Sequence, residues 1–225
     1  MKKRTKLRDR ILPDYYKGEE IMNMVTHIVG GALGIVALLL CTIRAALHGL
    51  GAVGILSAIV FGLSMITLYT MSSVYHGLRP GTGKKVLQII DHCTIYLLIA
   101  GSYTPPLLVS LVPVAPVPAW CLFGIQWGLA ILAITLNAID LDKYTVFSMI
   151  CYIGLGWSII FFAPLLYRVM HPAGFWLLLT GGIAYTIGAV LYGIGSKVHW
   201  MHSIFHIFVV IGSLLHLLAF GIYIL

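Results

Sequence analysis

A chain of 225 residues that is 60% hydrophobic and only 9% charged, with a mean hydropathy of +1.00, lies far from the about 25% charge of a soluble domain. That excludes a water-soluble fold and leaves one bundle, with room for a handful of spans of about 20 residues each. The net charge of +7 does not point to nucleic acid: seven of the fourteen Lys and Arg are Lys2, Lys3, Arg4, Lys6, Arg8, Arg10 and Lys17, a basic N-terminal tail suited to anionic phospholipid headgroups.

About 20 residues pass before the first apolar stretch, and no small-residue cleavage site follows promptly, so the tail is expected to stay attached rather than serve as a signal peptide. Seven apolar segments then follow, at about 23–47, 51–75, 86–112, 118–139, 145–167, 173–196 and 202–225. Their length and the lack of ten-residue alternating stretches exclude strands, since an open sheet edge has no hydrogen-bond partners in lipid. The fold class expected is an all-α integral membrane protein. It divides into a basic cytoplasmic tail, residues 1–20, and a seven-transmembrane-helix domain, residues 21–225. The connections carry Pro80, Gly81 and Gly83, then Pro113, Pro116 and Pro118, then Asp140 to Tyr144, all short enough to join antiparallel neighbours. With the N-terminus inside, the basic residues near helix ends divide twelve against two, the outer pair being Arg44 and Arg168. The positive-inside bias therefore places the N-terminus in the cytoplasm and the C-terminus outside. The four cysteines, Cys41, Cys93, Cys121 and Cys151, form no C-x-x-C pair and read as small packing residues.

Ionisable side chains inside a span are costly and mark function by default. Ser72 and His76 close the second segment as S-x-x-x-H, Asp91 opens the third, and His202 and His206 open the seventh as H-x-x-x-H. Residues four apart on a helix share a face about 6 Å apart, so His202 and His206 can reach one ion. An H-x-x-x-H alone is weak, because two such histidines also serve to satisfy carbonyls or meet headgroups. Here the topology, inferred without these residues, brings His76, Asp91, His202 and His206 to one membrane depth. Three histidines with water in the fourth position is the arrangement of a catalytic Zn2+. Asp91 would hydrogen-bond that water or orient a ligand imidazole. Ser72, one turn deeper, reads as a packing hydroxyl or a contact to substrate or water. Glu20, Asn23, Thr26 and His27 make E-x-x-N-x-x-T-H at the start of the first helix, where capping and interhelical bonding explain them as well as catalysis does. His92 points about 100° away from Asp91 and reads as an interface residue. His216, about 15 Å along the helix from His206, reads as a hydrogen-bonding residue of the bundle.

These motifs, with D-H-C-T-I-Y at 91–96, G-S-Y-T-P at 101–105 and H-S-I-F-H at 202–206, form a set that resembles the hemolysin III family, the bacterial branch of the progestin and adipoQ receptor superfamily. The resemblance runs from about Glu19 to the C-terminus. It implies a seven-helix bundle with zinc on His76, His202 and His206 and with Asp91 contacting a zinc-held water. The superfamily is also similar to alkaline ceramidases, membrane zinc hydrolases of lipid amides, which implies amide hydrolysis. The chain lacks the long cytoplasmic domain and eighth helix of the receptor branch. The function expected is therefore a zinc-dependent hydrolase of a membrane lipid amide or ester, with Asp91 as general base. The alternative is a non-enzymatic protein of lipid sensing, membrane homeostasis or cytolysis, in which zinc is structural and a closed fourth ligand position leaves no place for water.

Overall fold

The computed structural model describes residues 4–225, and Lys2 and Lys3 of the basic tail lie outside the described residues. All regular structure among the described residues is helical, and seven helices are long and apolar enough to cross a membrane. They are α1 (Lys17–Leu47), α2 (Gly51–Gly77), α3 (Thr82–Leu111), α4 (Pro116–Asp140), α5 (Thr145–Val169), α6 (Pro172–Gly195) and α7 (Met201–Tyr223). The chain is a multi-pass membrane protein.

Helix boundaries follow local chemistry. Pro116 and Pro172 sit in the first turns of α4 and α6, where a missing amide costs nothing. His171 caps α6 by accepting from the Ala173 amide at 3.2 Å. The first helix begins at Lys17, earlier than its apolar stretch, because Glu19 accepts from the Tyr16 amide at 2.8 Å and holds the first turn. At 31 residues it is about 46 Å long, more than a hydrocarbon core of about 30 Å needs.

Two spans depart from the continuous helices expected. Pro105 and Pro106 lack the amides that would bond back along α3, and the helix widens into a π turn over Pro106–Leu111. In α5 the helix tightens into a 3-10 turn over Ser158–Phe162 ahead of Pro164, which cannot bond the Ile160 carbonyl.

The exposed faces carry Leu39, Leu40, Ile131, Leu132 and Ile150, as a lipid-facing surface requires. In lipid the contact between helices rests on close packing and buried hydrogen bonds. At Gly34 of α1 a Cβ would lie 2.9 Å from the Ile66 amide of α2, so glycine sets how near these two helices come. Further in, the Tyr69 hydroxyl donates to Ser213 at 2.6 Å, joining α2 to α7. Tyr103 donates to the Gly156 carbonyl at 2.7 Å and Trp157 to Thr186 at 2.9 Å, tying α5 to its neighbours. Cys41 and Cys93 are buried among these packing side chains, and all four cysteines are free thiols.

The segment ahead of α1 is not a loose tail. It runs back across the end of the bundle: Arg4 donates to the Ile139 carbonyl, the Thr5 amide to Asp140, and Lys85 to the Arg8 carbonyl at 2.7 Å. Arg4, Lys6, Arg8 and Lys17 are exposed, whereas Arg10 is buried.

Candidate metal centre

Helix periodicity assembles the site. On α1, Glu20, Asn23 and His27 recur at i, i+3 and i+7, the spacing of one face, and Asn23 and His27 are buried against α2 and α7. The last two turns of α2 bring Ser72 and His76 inward, and the first turn and a half of α7 bring His202 and His206. The ring nitrogens of His76, His202 and His206 lie within 4.8 Å of one another, all three residues buried.

The donor set fits a metal. His202 Nε2 and His206 Nε2 are 3.1 Å apart, close to the about 3.3 Å that separates two ligands at about 2.0–2.1 Å on a tetrahedral zinc. His76 Nδ1 is 2.6 Å from a Glu20 carboxylate oxygen, while its Nε2 is buried without a protein partner. A carboxylate on one ring nitrogen fixes the tautomer and leaves the other nitrogen's lone pair for an ion. The second Glu20 oxygen accepts from Lys84 at 2.6 Å, so one carboxylate ties α1 to both α2 and α3. Asn23 Nδ2 approaches His76 Nδ1 at 3.4 Å.

His27 stands beside this set rather than in it. Its ring stacks on His206 at 3.8 Å and 22°, and both its nitrogens are buried without partners. Ser72 of α2 and Asp91 of α3 both line a cavity of about 140 Å³ that also reaches His27, His202 and His206. From there the cavity follows α3, α5 and α6 through apolar side chains to Tyr185 and His216. Its volume is close to the about 150 Å³ of an engineered dry cavity that binds benzene.

His92 corrects its sequence reading. It does not face the membrane interface but lines the same cavity, donating from Nδ1 to the Gln88 carbonyl at 2.8 Å, with Nε2 3.0 Å from the Tyr192 hydroxyl. Central α3 is enclosed on nearly every side, so a rotation of 100° leads to another interior wall. His216 donates to the Leu178 carbonyl at 3.2 Å, within the bundle.

Two residues at the site, Tyr15 and Glu19, had no place in the sequence reading. Tyr15, just before α1, stacks on His202 at 4.9 Å and 26° and stands 5.8 Å from the His76 ring. Burial first, then the Tyr192 phenol and the Glu20 carboxylate, push its phenol up, so it remains neutral. Glu19 accepts from the Trp200 amide and from His199, two and three residues before His202. Trp200 has φ of 68°, a left-handed conformation unusual for a bulky side chain. The one available signal was an aromatic pair, Tyr15–Tyr16, inside a segment otherwise read as basic tail.

A family model described as Haemolysin-III related matches residues 15–217. The chain belongs to the haemolysin III family. It is 40% identical to Hemolysin-3 of Bacillus cereus over 195 residues, 87% of each chain. The Hemolysin-3 homolog of Bacillus subtilis (strain 168) is also 40% identical over 195 residues, 87% of this chain and 89% of that one. A more distant similarity, 27% over 172 residues, joins it to the Monocyte to macrophage differentiation factor of Homo sapiens, across 73% of this chain and 68% of that protein. The matched haemolysin III region contains the whole histidine cluster together with Glu20, Ser72 and Asp91.

Proposed function

We propose that this haemolysin III protein is a zinc-dependent membrane hydrolase of a lipid amide or ester. The observation that carries this reading is a three-histidine cluster, two of whose members, His202 and His206, line one mostly apolar cavity with Asp91 and Ser72. His76, His202 and His206 would hold the ion, which when bound polarises a carbonyl and lowers the pKa of water to about 7. Glu20 keeps the His76 ring in one tautomer and orientation. Asp91 acts as general base toward the attacking water, and Ser72, in the same cavity wall, contacts that water or the substrate. Apolar walls along α3, α5 and α6 hold an acyl chain and exclude bulk water from the scissile bond. The N-terminus is taken to be cytoplasmic, as the distribution of basic residues favours. Arg4, Lys6, Arg8 and Lys17 then face anionic headgroups there.

A second reading, a structural zinc in a non-enzymatic bundle of lipid sensing or cytolysis, is favoured by Tyr15, which covers the histidines from the N-terminal side. One preparation separates the two: zinc content beside hydrolysis of a panel of long-chain amides and esters. Stoichiometric zinc with turnover supports the hydrolase, whereas stoichiometric zinc without turnover on any substrate gives the structural reading.

A further inference from the structure

Where the N-terminal segment crosses the bundle it closes a second cavity, of about 120 Å³, whose wall includes Arg10, Gln88, Asp142 and Ser148. Four residues, His92, Met149, Tyr152 and Tyr192, line both this cavity and the apolar one. The polar chamber and the apolar chamber thus adjoin at these four side chains. The arrangement matches an amphiphile with its polar and apolar halves in adjoining spaces.

Arg10 is the cation in the wall of the polar chamber and Asp142 its carboxylate. Only 5% of the residue is exposed, and an interior guanidinium needs its charge and its N–H groups met. Nη2 donates to the neutral Gln88 Oε1 at 2.8 Å. Nη1 is 3.3 Å from Asp142, whose side chain is 49% exposed and therefore solvent-screened. Nε is buried without an acceptor. His92 donates from Nδ1 to the Gln88 carbonyl and meets the Tyr192 hydroxyl at Nε2. The chamber therefore offers a partly compensated cation, and a planar guanidinium matches phosphate oxygens two at a time.

We propose that this chamber binds the phosphate headgroup of an acyl lipid whose chain occupies the apolar cavity. The assignment rests on the hydrolase reading for its acyl cavity, and it narrows the substrate class from any lipid amide or ester to one bearing a phosphate. The residue supplying the cation comes from the segment ahead of the first span, so that segment is a wall of the binding site.

Binding tests it without catalysis. The zinc-loaded full-length chain in an uncharged detergent is titrated with dodecyl phosphate and with dodecanol, and occupancy is read by native mass spectrometry. Wild type should hold the phosphate at least tenfold more tightly. Arg10→Gln should bring the two ligands to within about twofold while dodecanol binding persists. Arg8→Gln, exposed on the same segment, should keep the preference. Asp142→Asn should strengthen phosphate binding severalfold by removing the competing carboxylate, a gain that misfolding does not produce. Equal affinities in wild type, an equal loss in Arg8→Gln, or no gain in Asp142→Asn overturns the proposal. Displacement of dodecyl phosphate by equimolar inorganic phosphate assigns the chamber to a free anion instead and overturns the lipid. A retained preference in a protein that hydrolyses nothing sinks the hydrolase and spares the chamber. Hydrolysis of uncharged amides without any phosphate preference does the reverse.

Discussion

Glu20 holds His76 by a 2.6 Å contact between a carboxylate oxygen and Nδ1, and the same carboxylate takes a 2.6 Å hydrogen bond from Lys84. Three helices therefore meet at a group that touches none of the proposed ion's own coordination positions. Replacing Glu20 by Gln keeps the shape and removes the charge that fixes the imidazole. Zinc affinity, measured by competition with a chromophoric chelator, should fall by about 10–100-fold in a protein that still folds. An unchanged affinity would remove Glu20 from the support of the site.

About one zinc per chain is expected after mild chelation and repletion, read by elemental analysis. The double variant His202→Ala, His206→Ala should bind none. Because the ligands join α2 to α7, metal removal should also lower the melting temperature. Free zinc at 100 times its dissociation constant adds about 2.7 kcal/mol. A metal-free chain that melts where the loaded one does would break the link between site and fold.

Asp91→Asn keeps size and removes basicity. Turnover should drop by roughly two to four orders of magnitude, the range of general-base catalysis, while the three histidines keep their zinc. Loss of zinc in step with activity would instead make Asp91 a metal-supporting group. Full activity with full zinc would take it out of the mechanism.

Orientation has its own test. A reporter fused after Leu225 should lie outside the cell, and a cysteine introduced beside Lys84 should resist an impermeant thiol reagent in intact cells. Labelling there would turn the bundle over and place the metal centre on the opposite face.

The histidine cluster was legible because lipid is an unforgiving solvent. An imidazole in an apolar run needs a reason, and His202 and His206, four apart, can share one. The same logic raised Ser72, His76 and Asp91. Seven helices were legible from length and hydropathy alone. What stayed hidden depends on chain paths rather than periods. Tyr15 reaches the histidines and Arg10 the polar chamber because residues 4–16 double back over the bundle, and nothing in a basic segment's composition encodes that return. His92 was misplaced because a face argument presumes that a helix has an outside, which α3 barely has. The irregular turns in α3 and α5 had visible causes in Pro105, Pro106 and Pro164, but whether a proline kinks, widens or tightens a span depends on the neighbours that take up the freed carbonyls.

At Trp200 the backbone holds a left-handed turn, and the Glu19 carboxylate grips both its amide and the His199 ring. A conformation of this kind costs about 1–3 kcal/mol for a residue with a side chain, so it persists only while the grip does. Two residues later the chain delivers His202. The spring that aims one histidine is thus anchored on the first helix, 180 residues away in sequence. Inherited or engineered changes at Glu19 or His199 should therefore present as metal-binding defects, although neither residue would ever touch the ion, and a variant screen confined to the ligands would miss them.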